Sequence, residues 1–97
     1  MPDPLETFDK DPDALLDYGF NWAPWLPTGD TIASATWTIA PVCEGGLEVD
    51  HQTETTKIAS VWLTGGNVGQ SYDVTCHVVT AGGREDDRSF RVNVLER

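Results

Sequence analysis

Two segments, SYDVTCHVVT at residues 71–80 and SFRVNVLER at residues 89–97, decide the fold class. Inward candidates alternate with polar residues in both; they are Tyr72, Val74, Cys76, Val78, Phe90, Val92 and Val94. A period of two predicts half-buried β-strands, because successive side chains of a strand point to opposite faces. The intervening AGGREDD at residues 81–87 is a short polar loop, and its adjacent glycines, Gly82 and Gly83, can take positive φ. The two segments therefore predict an antiparallel hairpin.

Three further strand signals lie upstream of this hairpin. TIASATWTI at residues 31–39 alternates Ala33, Ala35, Trp37 and Ile39 with polar residues. Residues 47–50 and 56–63 are shorter candidates, and the second of them ends at Gly65 and Gly66. No segment of helical length carries a helical period. Strands separated by glycine-rich turns predict an all-β, small antiparallel β-sandwich, immunoglobulin-like if two extra strands join it. An antibody-type tyrosine corner is not expected, because Val74 stands two residues before Cys76.

The first part of the chain differs from the rest in composition. Residues 1–29 contain five of the six prolines and many of the acidic residues. Each proline removes a backbone donor and favours extended geometry, which argues against a long helix or a central strand. We therefore expect an extended N-terminal arm over residues 1–29 and a sandwich over residues 30–97. Within the arm, Tyr18, Phe20 and Trp22 alternate as in a short strand.

Charge and length narrow the classes of function. The chain has 97 residues, enough for one domain, and a formal net charge of −10. Such an acidic surface repels phosphate backbones and anionic lipid headgroups, so neither nucleic acid nor a membrane is an expected partner. The opening residues lack the basic and apolar regions of a signal peptide. Production in a reducing cytoplasm then favours free thiols at Cys43 and Cys76 over a disulfide.

Motifs with possible chemistry are incomplete. Cys76, His77 and Asp73 have the residue types of a nucleophilic triad, but strand alternation puts Cys76 on the opposite face from the other two. Asp9, Asp11 and Asp13 resemble the start of a calcium loop whose later positions fail, so an Asx turn is the simpler interpretation. No zinc spacing and no phosphate loop are found. We predict no enzymatic activity, no metal and no cofactor.

The aromatic residues leave three interpretations open. Trp22, Trp25 and Trp62 could form a platform for stacking sugar rings, although core packing is the simpler role for tryptophan in a small domain. A third role is an intersubunit contact, since tryptophan is enriched at interface hot spots.

Several short motifs carry a resemblance to a known family. They are Lys10 to Asp13, Leu16 to Trp22, Trp25 to Asp30, Trp37, Trp62 to Gly66, Gly83 with Arg84, and Arg88 to Phe90. The chain resembles small immunoglobulin-like structural proteins encoded in the virion gene clusters of long-tailed bacteriophages. The similarity covers most of the chain and departs over residues 43–56.

The resemblance implies a place in the virion, after synthesis in the host cytoplasm, and a non-enzymatic role. We expect capsid decoration, with a symmetric multi-copy assembly docking on the major capsid protein or other virion proteins. Tyr18, Phe20, Trp22 and Trp25 of the arm are the expected partner-binding residues. The alternatives are a head-tail connector or tail accessory protein of the same family, and a carbohydrate-binding module that aids host attachment.

Overall fold

The computed structural model describes residues 6–40 and 44–96, which form seven strands in the order of the chain. The strands are β1 (Glu6–Lys10), β2 (Leu16–Asn21), β3 (Ile32–Ala40), β4 (Leu47–Glu54), β5 (Ile58–Gly65), β6 (Ser71–Thr80) and β7 (Glu85–Val94). No helix of the described residues is long and apolar enough to cross a membrane. The all-β prediction is confirmed, and the residues proposed for β6 and β7 form the expected antiparallel hairpin, with Val74 opposite Phe90.

The strands form two packed sheets, which confirms the sandwich. One sheet has the order β1-β7-β6-β3 and the other has the order β2-β5-β4. Every pair is antiparallel except β1 with β7, which is parallel and departs from the all-antiparallel expectation. The immunoglobulin-like detail stays a prediction. A hydroxyl contact of the tyrosine-corner kind is nevertheless present, because Tyr72 Oη accepts from the backbone N–H of Asn67 at 3.0 Å.

The core lies between the two sheets and follows the predicted alternation. Tyr72, Val74, Cys76 and Val78 of β6 are all fully buried. Trp37 of β3 is also in the core, as the pattern predicted. Ala33 was expected on the same face but is exposed, because a register shift between Ile32 and Ser34 moves it out of the alternation.

The segment over residues 1–29 differs from the separate arm that was expected. Its described part supplies β1, which pairs with β7, and β2, which pairs with β5. Both are outer strands of their sheets. The alternation of Tyr18 and Phe20 explains why β2 joins the sandwich: one face of this strand is aromatic and packs against the core. The boundary at residue 29 therefore does not coincide with the edge of the sandwich.

The hairpin loop is shorter than predicted. Strand β7 already begins at Glu85, so Glu85, Asp86 and Asp87 belong to a strand and not to the loop. Gly83 takes a positive φ of 86°, as the turn requires, whereas Gly82 does not have positive φ. The acidic residues are held in the strand by β6, since His77 contacts Asp87 at 2.5 Å and Glu85 at 2.9 Å.

Candidate functional site

The four aromatic residues expected at a partner contact lie on or just below the surface of the sandwich. Trp22 is fully buried, while Tyr18, Phe20 and Trp25 are half-buried. Trp25 packs edge-on against Trp22, with ring centroids 5.2 Å apart. Phe20 stacks on Trp37 of the opposite sheet at 6.0 Å, with the planes 9° apart. Tyr18, Phe20 and Trp22 each contact a residue of the opposite sheet, and the three half-buried residues also have exposed surface.

Tyr18 and Phe20 line a cleft between the two outer strands β1 and β2. The cleft has a volume of about 260 Å³. Its lining residues are Glu6, Phe8, Asp17, Tyr18, Gly19, Phe20 and Phe90. Phe8 of β1 meets Tyr18 of β2 with ring centroids 5.1 Å apart, and Phe90 lies 5.1 Å from Tyr18. The cleft is thus an aromatic seam at the side of the sandwich.

The cleft is acidic and contains a buried hydroxyl group. Glu6 and Asp17 both line it and are exposed. The hydroxyl oxygen of Tyr18 is buried without a hydrogen-bond partner among the described residues. Burial, and then the charge of Asp17, raises the pKa of Tyr18 above its usual value, so the phenol stays protonated and able to donate. An occupant would meet apolar rings, a phenol and two carboxylates.

Two of the motifs that carry the family resemblance, Lys10 to Asp13 and Trp62 to Gly66, meet at one end of the sandwich, which we call the Lys10 end. Lys10 is fully buried, and its Nζ donates to the carbonyl oxygens of Asp11 and Gly65, each at 2.9 Å. Burial lowers the pKa of this amine, partly offset by the charges of Asp11 and Asp13. Lys10 therefore ties the β1–β2 turn to the end of β5, which gives the motif a structural role.

Two other motifs of the resemblance, Trp25 to Asp30 and Gly83 with Arg84, meet at the opposite end, which we call the Asp30 end. The Asp30 carboxylate accepts the N–H of Thr31 and of Gly82, each at 2.9 Å, and pairs with Arg84 Nη1 at 3.2 Å. A hydrogen bond from the Thr80 side chain is the main cause that lowers the pKa of Asp30. The carboxylate therefore fixes the β6–β7 hairpin to the connection between β2 and β3.

Arg88 covers Trp22 near the same end. Its guanidinium carbon lies 4.1 Å from the centre of the indole ring, and Nη1 donates to the carbonyl of Asn21 at 3.3 Å. An arginine over a tryptophan face is favourable electrostatically and shields the ring from water. The motif residues at both ends are thus cross-links of the fold, and none of these contacts needs a partner protein.

The chemical alternatives find little geometric support. Burial raises the pKa of the Cys76 thiol to about 12, which keeps it neutral, and Asp73 is engaged by Arg91 at 2.8 Å. No group of three or more potential ligands for a metal ion occurs within residues 6–40 and 44–96. Asp11 Oδ1 accepts the N–H of Asp13 at 2.8 Å, which is the contact of an Asx turn. Cys43 lies outside the described residues, so its pairing is not tested.

The three tryptophans proposed as a sugar platform do not share a surface. Trp22 is fully buried, and Trp25 packs against it. Trp62 lies on β5 between the inward residues Val61 and Leu63, and His51 stacks on its ring at 4.5 Å. One face of Trp62 is therefore occupied by a cross-strand neighbour, and no flat row of three rings is formed.

Sequence reasoning missed several residues of the cleft and of the cross-links. Phe8 and Glu6 were assigned to an arm, although the apolar position of Phe8 between polar neighbours is a weak strand signal. Lys10 and Arg88 were not singled out as inward residues, because charged side chains are rarely buried. Nothing local in the sequence indicates that Asp30 and Arg84 meet, since 54 positions separate them.

Fold and surface together define the class of the chain: a small acidic β-sandwich protein with an aromatic cleft between two outer strands. In a comparison with protein families, residues 10–93 match the family described as podophage GP4 fiber-tail adaptor protein gp77. The chain belongs to this family and is a structural protein of the bacteriophage virion. The comparison with curated proteins finds no match.

Proposed function

We propose that this chain is a tail protein that joins a tail fiber to the tail of the phage particle, without enzymatic activity. The observation that carries the proposal is the family match over residues 10–93, which covers all seven strands in whole or in part. Of the placements expected from the sequence, the match favours the tail accessory protein over capsid decoration. The partners are accordingly other virion proteins, with a fiber protein first among them.

The physical properties of the sandwich suit an adaptor. The buried Lys10 amine links the two sheets at one end, and the buried Asp30 carboxylate fixes the β6–β7 hairpin to the β2–β3 connection at the other, so the domain can keep a fixed shape between two larger partners. The net charge of −10 favours partners with basic surfaces, because complementary charge speeds encounter and selects the partner. A small subunit with a modest interface can still bind firmly when several copies act together in a symmetric particle.

Two measurements on particles test this proposal. Quantitative mass spectrometry of purified virions should give a copy number close to that of the fiber protein and far below that of the major capsid protein. A phage that lacks the gene should form filled heads and tails without fibers, as seen by electron microscopy, and expression of the chain in trans should restore the fibers.

Each result has a contrary outcome. A copy number that matches the capsid protein would return the chain to the capsid surface. Fibers attached normally to particles that lack the chain would overturn the adaptor role.

A further inference from the structure

The edges of the two sheets are not equally protected. The outer strands β3 and β4 each contain a register shift, between Ile32 and Ser34 and between Val49 and His51. Bulges of this kind twist an edge and discourage the addition of another strand. The outer strands β1 and β2 pair with their neighbours in an unbroken register. The two outer strands without a bulge, β1 and β2, are therefore the two that flank the aromatic cleft.

The edge of β2 is the better template of these two. Four consecutive residues, 17–20, line the cleft, so the backbone of this strand forms one wall. Alternate residues of an outer strand point their N–H and C=O groups away from the sheet, where another strand can pair with them. The register of this stretch with β5 is unbroken from Leu16 to Asn21, so its outer side forms a straight edge of the length that a short added strand needs.

The chemistry of the cleft specifies what the added strand must contain. Phe8, Phe20 and Phe90 provide an apolar surface that a single aliphatic side chain could cover. Glu6 and Asp17 stand beside it, and their charges are matched by lysine or arginine. The buried Tyr18 hydroxyl lacks a partner among the described residues, and a backbone carbonyl that enters the cleft could accept from it.

We propose that the cleft between β1 and β2 receives an extended segment of another virion protein, which pairs with the free edge of β2. The segment places an aliphatic side chain among the rings and a basic residue beside Glu6 and Asp17. The proposal rests on the adaptor role and deepens it by naming the surface and the chemistry of the partner. It gives Tyr18 and Phe20 a direct contact, while the buried Trp22 packs against Phe20 and the half-buried Trp25 lies outside the cleft.

Site-specific photo-cross-linking in assembled virions tests the surface. Asp17 on β2 is replaced with p-benzoylphenylalanine, and Glu48 on β4 is replaced in a matched control. Both residues are exposed, and they lie on the two outer strands of the same three-stranded sheet. We expect an adduct from position 17 with one other virion protein, at a segment that contains lysine or arginine, and no such adduct from position 48.

Charge reversal provides a second readout in the same particles. The variants Asp17→Lys and Glu48→Lys change the net charge equally, so they differ only in which edge carries the new cation. We expect Asp17→Lys to lower the number of copies per particle by about tenfold relative to Glu48→Lys, because a cation would then face a basic partner. Circular dichroism of both purified variants verifies that they fold.

The outcomes separate this inference from the adaptor role. Adducts from position 48 alone, an adduct between two copies of the chain or within one copy, or equal losses for the two lysine variants would overturn the cleft as the docking site. Fiber attachment in the gene deletion is scored independently, so the adaptor role can stand when the cleft fails. Normal fibers in that deletion would overturn both.

Discussion

Each end of the sandwich contains a buried charged side chain, and the two charges have opposite signs. At the Lys10 end, the Nζ of a buried cation donates to the backbone carbonyl oxygens of Asp11 and Gly65. At the Asp30 end, a buried anion accepts from backbone N–H groups and also pairs with Arg84. The fold lowers the pKa of Asp30 and so favours its charged form, whereas burial lowers the pKa of Lys10, despite the charges of Asp11 and Asp13, and so disfavours its charged form. Buried charge is therefore better compensated at the Asp30 end, and that end should contribute more to stability.

The largest expected loss of stability comes from removing the buried tryptophan near the Asp30 end. Trp22→Ala removes a fully buried indole and the surface that Arg88 covers, so it should lower the free energy of unfolding by about 3 to 5 kcal/mol. That is a large part of the total stability of a small domain. Urea unfolding measures the loss.

A matched control lies at the Lys10 end. Val68 is exposed, so Val68→Ala should change the stability by less than about 0.5 kcal/mol. Trp22→Phe provides an intermediate if the alanine variant does not fold. A loss below about 1 kcal/mol for Trp22→Ala would contradict the buried position of this ring.

The comparison of the two charges predicts a smaller difference. Asp30→Ala leaves four donors without their acceptor, so its melting temperature should fall by more than about 8 °C. Lys10→Met keeps the length of the side chain and removes a desolvated charge, so its melting temperature should change by less than about 5 °C in either direction. Scanning calorimetry compares the two variants with the wild type. Equal losses would show that the carbonyl cage of Lys10 stabilises as well as the counter-ion of Asp30.

The smallest expected effect is in the pH dependence of stability. The pKa of Asp30 is lowered in the folded chain, so its contribution is present above about pH 4 and is lost as the pH falls through the folded value. The pKa of Lys10 is also lowered, so the unfolded chain binds more protons between the folded value and about 10.4, and stability should rise with pH there.

Denaturant unfolding at a series of pH values checks both slopes. Asp30→Asn should flatten the acid slope and leave the alkaline one, and Lys10→Met should do the reverse. A variant that flattens both slopes, or neither, would show that other groups govern the pH dependence.

The strands differ in how far the sequence predicts them. Strands β3 to β7 could be predicted because the alternation of apolar and polar residues is a local signal, as in the run from Tyr72 to Val78. The parallel pairing of β1 with β7 was not, because Glu6 and Phe90 meet only through the whole topology. The prolines at positions 4, 12 and 24 also argue against strands in this part of the chain, although β1 and β2 are short enough to lie between them.

The candidate site was predictable only in part. Tyr18 and Phe20 were singled out as aromatic residues of a strand-like segment, and both line the cleft. The cleft itself depends on which strands end up at the edges of the two sheets, and no local pattern contains that information. Likewise, the buried amine of Lys10 donates to the carbonyl of Gly65, which lies 55 positions away at the end of β5, and no local pattern indicates that contact.

The parallel register of β1 and β7 has a mechanical consequence. Strand β1 enters beside Phe90, and β7 leaves beside Lys10, at the other end of the pair. A pulling force applied to the chain before Glu6 and after Val94 would slide the two strands past each other along their length. All the hydrogen bonds between them would then carry the load together, whereas antiparallel strands pulled from one end open bond by bond. The β1–β7 pair therefore resists a force applied at these two points more strongly than an antiparallel pair of the same length pulled from one end.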